Sequence, residues 1–185
     1  MNKKPIILIG PMATGKSTIA SELAKVTNIP RVPMDRLRWY YYYKKGFSLE
    51  KEQILDSFSE MLEYWKPFEV DAVEGIIGEF PESIIDFGAG HSYFTDPDQF
   101  NYVSELLREI PNVFLILPCE DKKRSLEIFN ERLEKRRKEK LDETNITANK
   151  NFIEHPSNYR LAKHIIYTEG KSIHQSCLEI RDLLV

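Results

Sequence analysis

Residues 10–17 read Gly10-Pro11-Met12-Ala13-Thr14-Gly15-Lys16-Ser17, a G-x-x-x-x-G-K-S pattern that constrains the fold more than any other stretch of the chain. Before it stands Ile6-Ile7-Leu8-Ile9, an unbroken apolar run of the kind that makes a strand buried on both faces. After it, Ile19, Leu23 and Val26 recur at helical spacing. A buried strand that must turn into a helix through a glycine loop leaves few architectures open. The glycines let the backbone curl so that successive N–H groups face one point, and the helix N-terminus adds its partial positive charge there. Such a loop suits a phosphate chain. Gly10, Ala13, Thr14, Gly15, Lys16, Ser17 and Thr18 are therefore the candidate nucleotide-binding residues. Lys16 is expected at the β- and γ-phosphates, Thr18 near the α-phosphate, and the Ser17 hydroxyl on Mg²⁺.

Strand and helix signals alternate through the remaining sequence, which argues for an α/β fold with a parallel sheet covered on both faces. The strands expected after the first are Pro30–Met34, Ser83–Phe87, Asn112–Leu117 and His164–Tyr167. Between them, Leu37 to Tyr43 is rich in aromatic residues and stops near Gly46. Ser48 reads as the cap of a helix whose apolar stripe runs Ile54, Leu55, Phe58, Met61, Leu62 and Trp65, with a further helix after Pro67. Helices are also expected over Asp98–Glu109 and Glu120–Lys140. Asp142 to Asn151 is polar and reads as a mobile connection. Ser172 and Gln175 form a capping box for a last helix with Ile173, Cys177, Ile180 and Leu184 on its core side.

A chain of 185 residues suits one domain, so residues 1–185 are read as a single unit. The net charge of −3 supplies no basic field for nucleic acid, and glutamates interrupt the basic run from Arg132 to Lys140. No apolar stretch approaches a membrane span, and the short run before the loop does not read as a secretory signal. Cys119 and Cys177 are far apart in apolar contexts and read as reduced thiols. The cytoplasm is the expected compartment, and no partner beyond a small molecule is implied. A monomer or a homodimer would both be compatible.

The order of these features resembles the small P-loop kinases of the nucleoside-monophosphate-kinase fold, most of all the shikimate kinases. The resemblance rests on the Gly10–Ser17 loop, Asp35 after the second strand, Gly88-Ala89-Gly90 after the third, a basic helix after the fourth, and Tyr159-Arg160-Leu161-Ala162 before the fifth. It implies a three-layer α/β/α P-loop NTPase fold with a five-stranded parallel sheet of order 2-3-1-4-5. A helical acceptor-binding subdomain would span about residues 35–80 and a lid about residues 120–155. It further implies an ATP-dependent kinase that transfers the γ-phosphoryl group to a hydroxyl of a small molecule, with ATP and Mg²⁺ required.

Within that frame Lys16, Asp35, Arg132 and Arg136 are the candidate catalytic residues. Asp35 would orient or deprotonate the acceptor hydroxyl, or else cap the next helix. Arg132 and Arg136, one helical turn apart, would meet the transferring phosphoryl group when the lid is closed. Arg124 and Lys171 would flank the adenine. Asp35, Arg38, Glu69, Gly88, Ala89 and Gly90 form the candidate acceptor site. Asp86 either holds Mg²⁺ together with Ser17 or orients the glycine turn.

The departures concern the acceptor. Shikimate kinases hold a substrate carboxylate with an arginine after a phenylalanine, where this chain has Phe68-Glu69, and with a second arginine near the place of Glu154-His155. Glutamate cannot substitute in an arginine anion clamp, so an acceptor other than shikimate is expected. The aromatic run Trp39–Tyr43 either walls a larger acceptor or packs the subdomain. Two other readings are a nucleoside or nucleotide kinase and a non-catalytic ATP-binding regulatory module. GTP specificity is excluded because Asn149-Lys150-Asn151-Phe152 lacks the aspartate of a guanine-reading loop.

Overall fold

The computed structural model describes residues 4–185. Five parallel strands form one sheet: β1 (Ile6–Ile9), β2 (Arg31–Pro33), β3 (Ile84–Asp86), β4 (Val113–Leu117) and β5 (His164–Tyr167), in the order β2-β3-β1-β4-β5. The expected order 2-3-1-4-5 is therefore observed. β1 lies at the centre, with Ile7 in register with Ile85 on one side and Val113 on the other.

Alternate residues of a strand face opposite ways, and each face needs its own cover. Ile7 and Ile9 face a core completed by Ile85, Leu115 and Leu117 together with Val73, Ile76, Val103 and Leu107. The last four come from α4 (Phe58–Glu79) and α5 (Pro97–Arg108). Ile6 and Leu8 face the other core, with Phe114, Ile116 and Ile166. Ile19 and Leu23 of α1 (Lys16–Thr27) and Cys177 and Ile180 of α9 (Ile173–Asp182) close that side. Burial pushes the Cys177 thiol up to about 11, consistent with an inert core cysteine.

A third, smaller core lies beside the glycine loop. Phe129 and Leu133 of α6 (Lys122–Arg137), Leu141, and Ile153 of α7 (Glu143–Glu154) pack together with Met12 and Ala13 of the loop against them. α6 and α7, the region expected to form a lid, are thus seated on the loop itself.

Several local expectations are corrected. Ser48 caps only α3 (Leu49–Gln53), and Ile54 is exposed at its end. Ser57 and Glu60 then form a capping box, and α4 runs unbroken through Pro67. One lost N–H bond costs less than ending a helix whose Ala72, Val73 and Ile76 are all fully buried. The polar stretch after Asp142 is a helix rather than a loop: Asp142 accepts from the Asn145 N–H, and Phe152 and Ile153 are buried. Asn149 donates to Asn130 Oδ1 at 2.7 Å, fixing α7 to α6. Ile173, expected on the core side of α9, is 47 % exposed.

The aromatic run lies on α2 (Met34–Lys44). Tyr41 and Tyr42 are buried, and Trp39 meets Tyr42, Phe47 and Trp65 edge-on at ring separations of 5.5, 5.5 and 6.5 Å. These rings pack α2 on α4, and Trp39, Tyr41 and Tyr42 border none of the three cavities described below.

Phe114 is fully buried between β1 and β5. Phe114→Ala is expected to cost about 3–5 kcal/mol of unfolding free energy, read as a lowered urea midpoint with an unchanged slope.

Candidate active site

The loop leaves β1 at its carboxyl end. Gly10 has φ +130° and Gly15 +99°, backbone that L side chains rarely adopt. α3 to α9, including the short α8 (Pro156–Leu161), each begin with a side chain that caps an N–H. α1 begins at Gly15 without one, so its first N–H groups face the loop hollow. The Lys16 ammonium is buried and donates to the carbonyls of Gly10 and Pro11 at 2.7 and 2.6 Å. Burial lowers its pKa to about 8, against the pull of Asp35 and Asp86. A buried ammonium among free N–H groups fits a phosphate chain.

Two cavities open from this loop. One, of about 340 Å³, is bordered by Lys16, Ser17, Asp35, Gly88, Arg132 and Arg136, among others. The other, of about 300 Å³, lies between Thr14, Thr18, Thr168, Lys171 and Ser176. They share Ala13, Gly15, Thr18 and Arg132, so they form the two ends of one groove around the loop.

Asp35 lies in the first turn of α2 without being its cap; the N-cap is Pro33. The capping role weighed for Asp35 is therefore excluded, and its carboxylate borders the cavity that Lys16 borders. It rests against Gly88, where a Cβ would collide with it. Gly90 is bare for the same reason: a Cβ there would collide with the Glu69 carboxylate. The turn Gly88-Ala89-Gly90, which leads into a 3-10 segment at Ala89–Ser92, is thus held between two carboxylates.

Glu69 is fully buried. Burial pushes its pKa up, while Lys66 and Arg38 pull it back. Lys66, also buried, bonds Glu69 Oε2 at 2.5 Å and the Gly90 carbonyl at 2.8 Å. Lys66 was not among the sequence candidates. Leu62, Lys66, Glu69 and Val73 are spaced 4, 3 and 4 residues apart on α4. Charges at buried helical positions were the available signal, hidden by reading Pro67 as a break.

Other expected residues sit elsewhere. Arg38 lies over the Trp39 and Trp65 rings at 4.6 and 5.0 Å, where cation–π attraction holds it, and it borders none of these cavities. Arg124 is drawn to Glu169 at 3.1 Å and Glu127 at 3.4 Å instead of flanking the groove; Lys171 does border it. Arg137 donates to Asn145 and braces the lid. Both Asp86 oxygens accept from Arg31, at 2.8 and 2.7 Å, and Arg31 also reaches the Ser21 hydroxyl. Asp86 therefore ties β2 to β3 and α1, a competing use of the carboxylate assigned to Mg²⁺, and it makes no bond to the glycine turn. Among the described residues there is no cluster of three His, Cys, Asp or Glu side chains able to hold a metal ion. The donor set fits a hard cation held mainly by phosphate oxygens, with Ser17 as the protein ligand. His91 is fully buried with Nδ1 unpartnered, and burial together with the nearby Arg38 and Lys66 charges keeps it neutral.

The fold has known counterparts. No protein-family model matches the chain. A shikimate kinase of Flavobacterium johnsoniae is 24% identical over 186 residues, covering 97% of this chain and 98% of that protein. The shikimate kinase of Acinetobacter baumannii, solved with shikimate, superposes with a TM-score of 0.71 at 17% identity, covering 98% of this chain and 92% of that one. This chain has the fold of a shikimate kinase. A gluconokinase from Sinorhizobium meliloti shares the fold at a TM-score of 0.59 and 13% identity, covering 99% of this chain and 92% of that one. The resemblance to P-loop small-molecule kinases spans nearly the whole chain.

Two outcomes follow. Because Lys16 falls from an ordinary 10.5 to about 8, the unfolded chain binds the extra proton between those values. Stability should then rise with pH from about 8 to about 10.5 relative to Lys16→Met, as read from urea midpoints of both proteins across that range. Removing either partner of the buried Lys66–Glu69 pair should cost about 3–5 kcal/mol, whereas K66M/E69L together should recover most of that loss in the same assay.

Proposed function

We propose that this protein is an ATP-dependent kinase that phosphorylates a hydroxyl group of a small molecule other than shikimate. The observation that carries the reading is the cavity in which Lys16, Asp35, Arg132 and Arg136 converge. Phosphoryl transfer needs charge neutralisation and alignment more than covalent chemistry, and these residues supply both. The loop N–H groups and Lys16 hold the β- and γ-phosphates. Ser17 would hold Mg²⁺, which would offset phosphate charge when bound. Asp35 orients the acceptor hydroxyl and takes its proton as the new P–O bond forms and the bond to ADP breaks. Arg132 and Arg136 come from the lid and reach the moving phosphoryl group, so their help depends on closure. The adenosine end occupies the part of the groove near Thr168 and Lys171.

The fold is shared with kinases named for different acceptors, so it leaves the acceptor open. The charge at residue 69 supports a different choice. Buried Glu69 beside Gly90 is paired with Lys66, so the pair offers no free cation to clamp an anionic acceptor. The nucleoside-kinase reading loses its main support, because the tyrosines expected to stack on a base are packed between helices or exposed away from the cavities. Asn149 is buried in α7 and bonded to Asn130, so it does not read a guanine. No helix among the described residues is long and apolar enough to cross a membrane. A cytoplasmic enzyme acting as a monomer or homodimer on a small molecule is the simplest setting for ATP-dependent chemistry.

The deciding experiment is acceptor-stimulated ADP release from MgATP, with shikimate, gluconate, nucleosides and uncharged polyols as acceptors. Stimulation by a non-carboxylated acceptor is expected. Stimulation by shikimate alone would overturn the acceptor assignment, and ATP binding without stimulation by any acceptor would favour a regulatory module. Lys16→Ala should lower turnover at least about a hundredfold while remaining folded. Asp35→Asn should lower kcat by about 10²–10⁴-fold with the ATP KM nearly unchanged; a collapse of ATP affinity would move Asp35 to the metal site.

A further inference from the structure

The largest of these cavities, about 580 Å³, lies away from the glycine loop. It opens between the first turns of α4 and the lid helix α7, bordered by Leu62, Lys66, Tyr93, Thr147, Asn151 and Phe152. That size falls within the range of about 300–1,000 Å³ found for pockets that enclose a small organic ligand.

Three observations tie it to the reacting centre. The two cavities flank one short turn: Ala89 borders the cavity with Lys16 and Asp35, and Tyr93 borders this one. Lys66 reaches from its floor to the Gly90 carbonyl in the middle of that turn. The lid covers both, with Arg132 and Arg136 of α6 over the first and Thr144, Thr147 and Ala148 of α7 over the second.

The lining states what it would accept. Leu62, Ala148, Phe152 and Tyr93 offer apolar surface suited to ring faces, while Thr147 and Asn151 offer hydroxyl and amide partners. Lys66 has three N–H donors, of which Glu69 and Gly90 take two, leaving one for a hydroxyl or carbonyl oxygen. Its charge is already matched by Glu69. Glu63 and Glu143 at the rim add negative charge, and no arginine borders the cavity. An anionic group would find nothing there to neutralise it.

We propose that this second cavity binds the distal part of the acceptor, and that the acceptor is a polyhydroxylated compound of two-ring length, neutral or amine-bearing, with no anionic group at its far end. The inference rests on the kinase reading only for which end of the acceptor reacts.

The test uses the full chain with matched probes: glucose against maltose, and 2-deoxystreptamine against neamine, with gluconate as the anionic control. Two readouts are taken, acceptor-stimulated ADP release and the shift in melting temperature caused by each probe in the presence of ADP. Ala148→Trp fills the cavity without touching Lys16, Asp35 or the lid arginines. Thr147→Phe serves as a second filling variant should the tryptophan protein melt early. At least one two-ring probe is expected to outperform its one-ring partner. Filling the cavity should raise its KM about tenfold or more while leaving the ATP KM and kcat in place. Equal use of one-ring and two-ring probes, with no effect of either filling variant, would overturn the proposal and spare the kinase reading. A melting shift by a two-ring probe that is lost on filling, with no ADP release, would uphold the cavity and overturn the kinase reading. Neither a shift nor release from any two-ring probe would overturn the proposal.

Discussion

Everything at the candidate active site depends on β1 being buried on both faces. Ile6 and Leu8 are claimed by one core and Ile7 and Ile9 by the other, so the strand can neither slide nor twist without exposing one set. Its carboxyl end therefore emerges at a fixed point and direction. The loop from Gly10 to Gly15 departs from that point, and Lys16 begins the helix that covers the same strand. α6 and α7 rest on the loop through Met12 and Ala13, so they inherit the same reference. A phosphate site assembled this way is positioned by the core of the protein.

The acceptor side is built on a different principle. There, two carboxylates close on a turn that has room for them only because Gly88 and Gly90 lack side chains. The Asp35 carboxylate borders the loop cavity, while Glu69 is buried against Lys66. Burying an ion pair is costly, and the pair is held by a third contact, to the Gly90 carbonyl. That contact fixes the turn relative to α4. The pair thus fixes the backbone of the Gly88–Gly90 turn, which would line the proposed acceptor site.

The phosphate side was legible in the sequence because it is local. Eight consecutive residues carry the loop, and the apolar runs on either side declare strand and helix by their own periodicity. Even Arg132 and Arg136 could be paired by counting along one helix. The rest of the candidate site was less legible because its partners are distant in sequence. Glu69 meets Gly90, Arg31 meets Asp86, and Arg124 meets Glu169, across 21, 55 and 45 positions. Nothing in a linear pattern announces such pairs. Pro67 misled for a separate reason: a proline forfeits one hydrogen bond, and the buried face of α4 outweighs that loss. The segment after Asp142 misled because polar residues at a capped, half-exposed helix resemble those of a loop.

These two halves also explain how a chain can keep a kinase fold while its acceptor changes. In the proposed site, phosphates would be met largely by backbone N–H groups, two left-handed glycines and a helix end, features that tolerate almost any surrounding sequence. In the proposed reading the acceptor would be met by side chains on α2, α4 and α7, where Glu69 stands paired with Lys66. An arginine at position 69 would need a carboxylate to face it, whereas the glutamate here brings its own cation, Lys66, one helical turn away. Under the proposed function, that internal neutralisation would remove the demand for a charged acceptor. What remains to bind is shape, hydroxyl groups and ring faces, the chemistry that the large cavity beneath α7 presents.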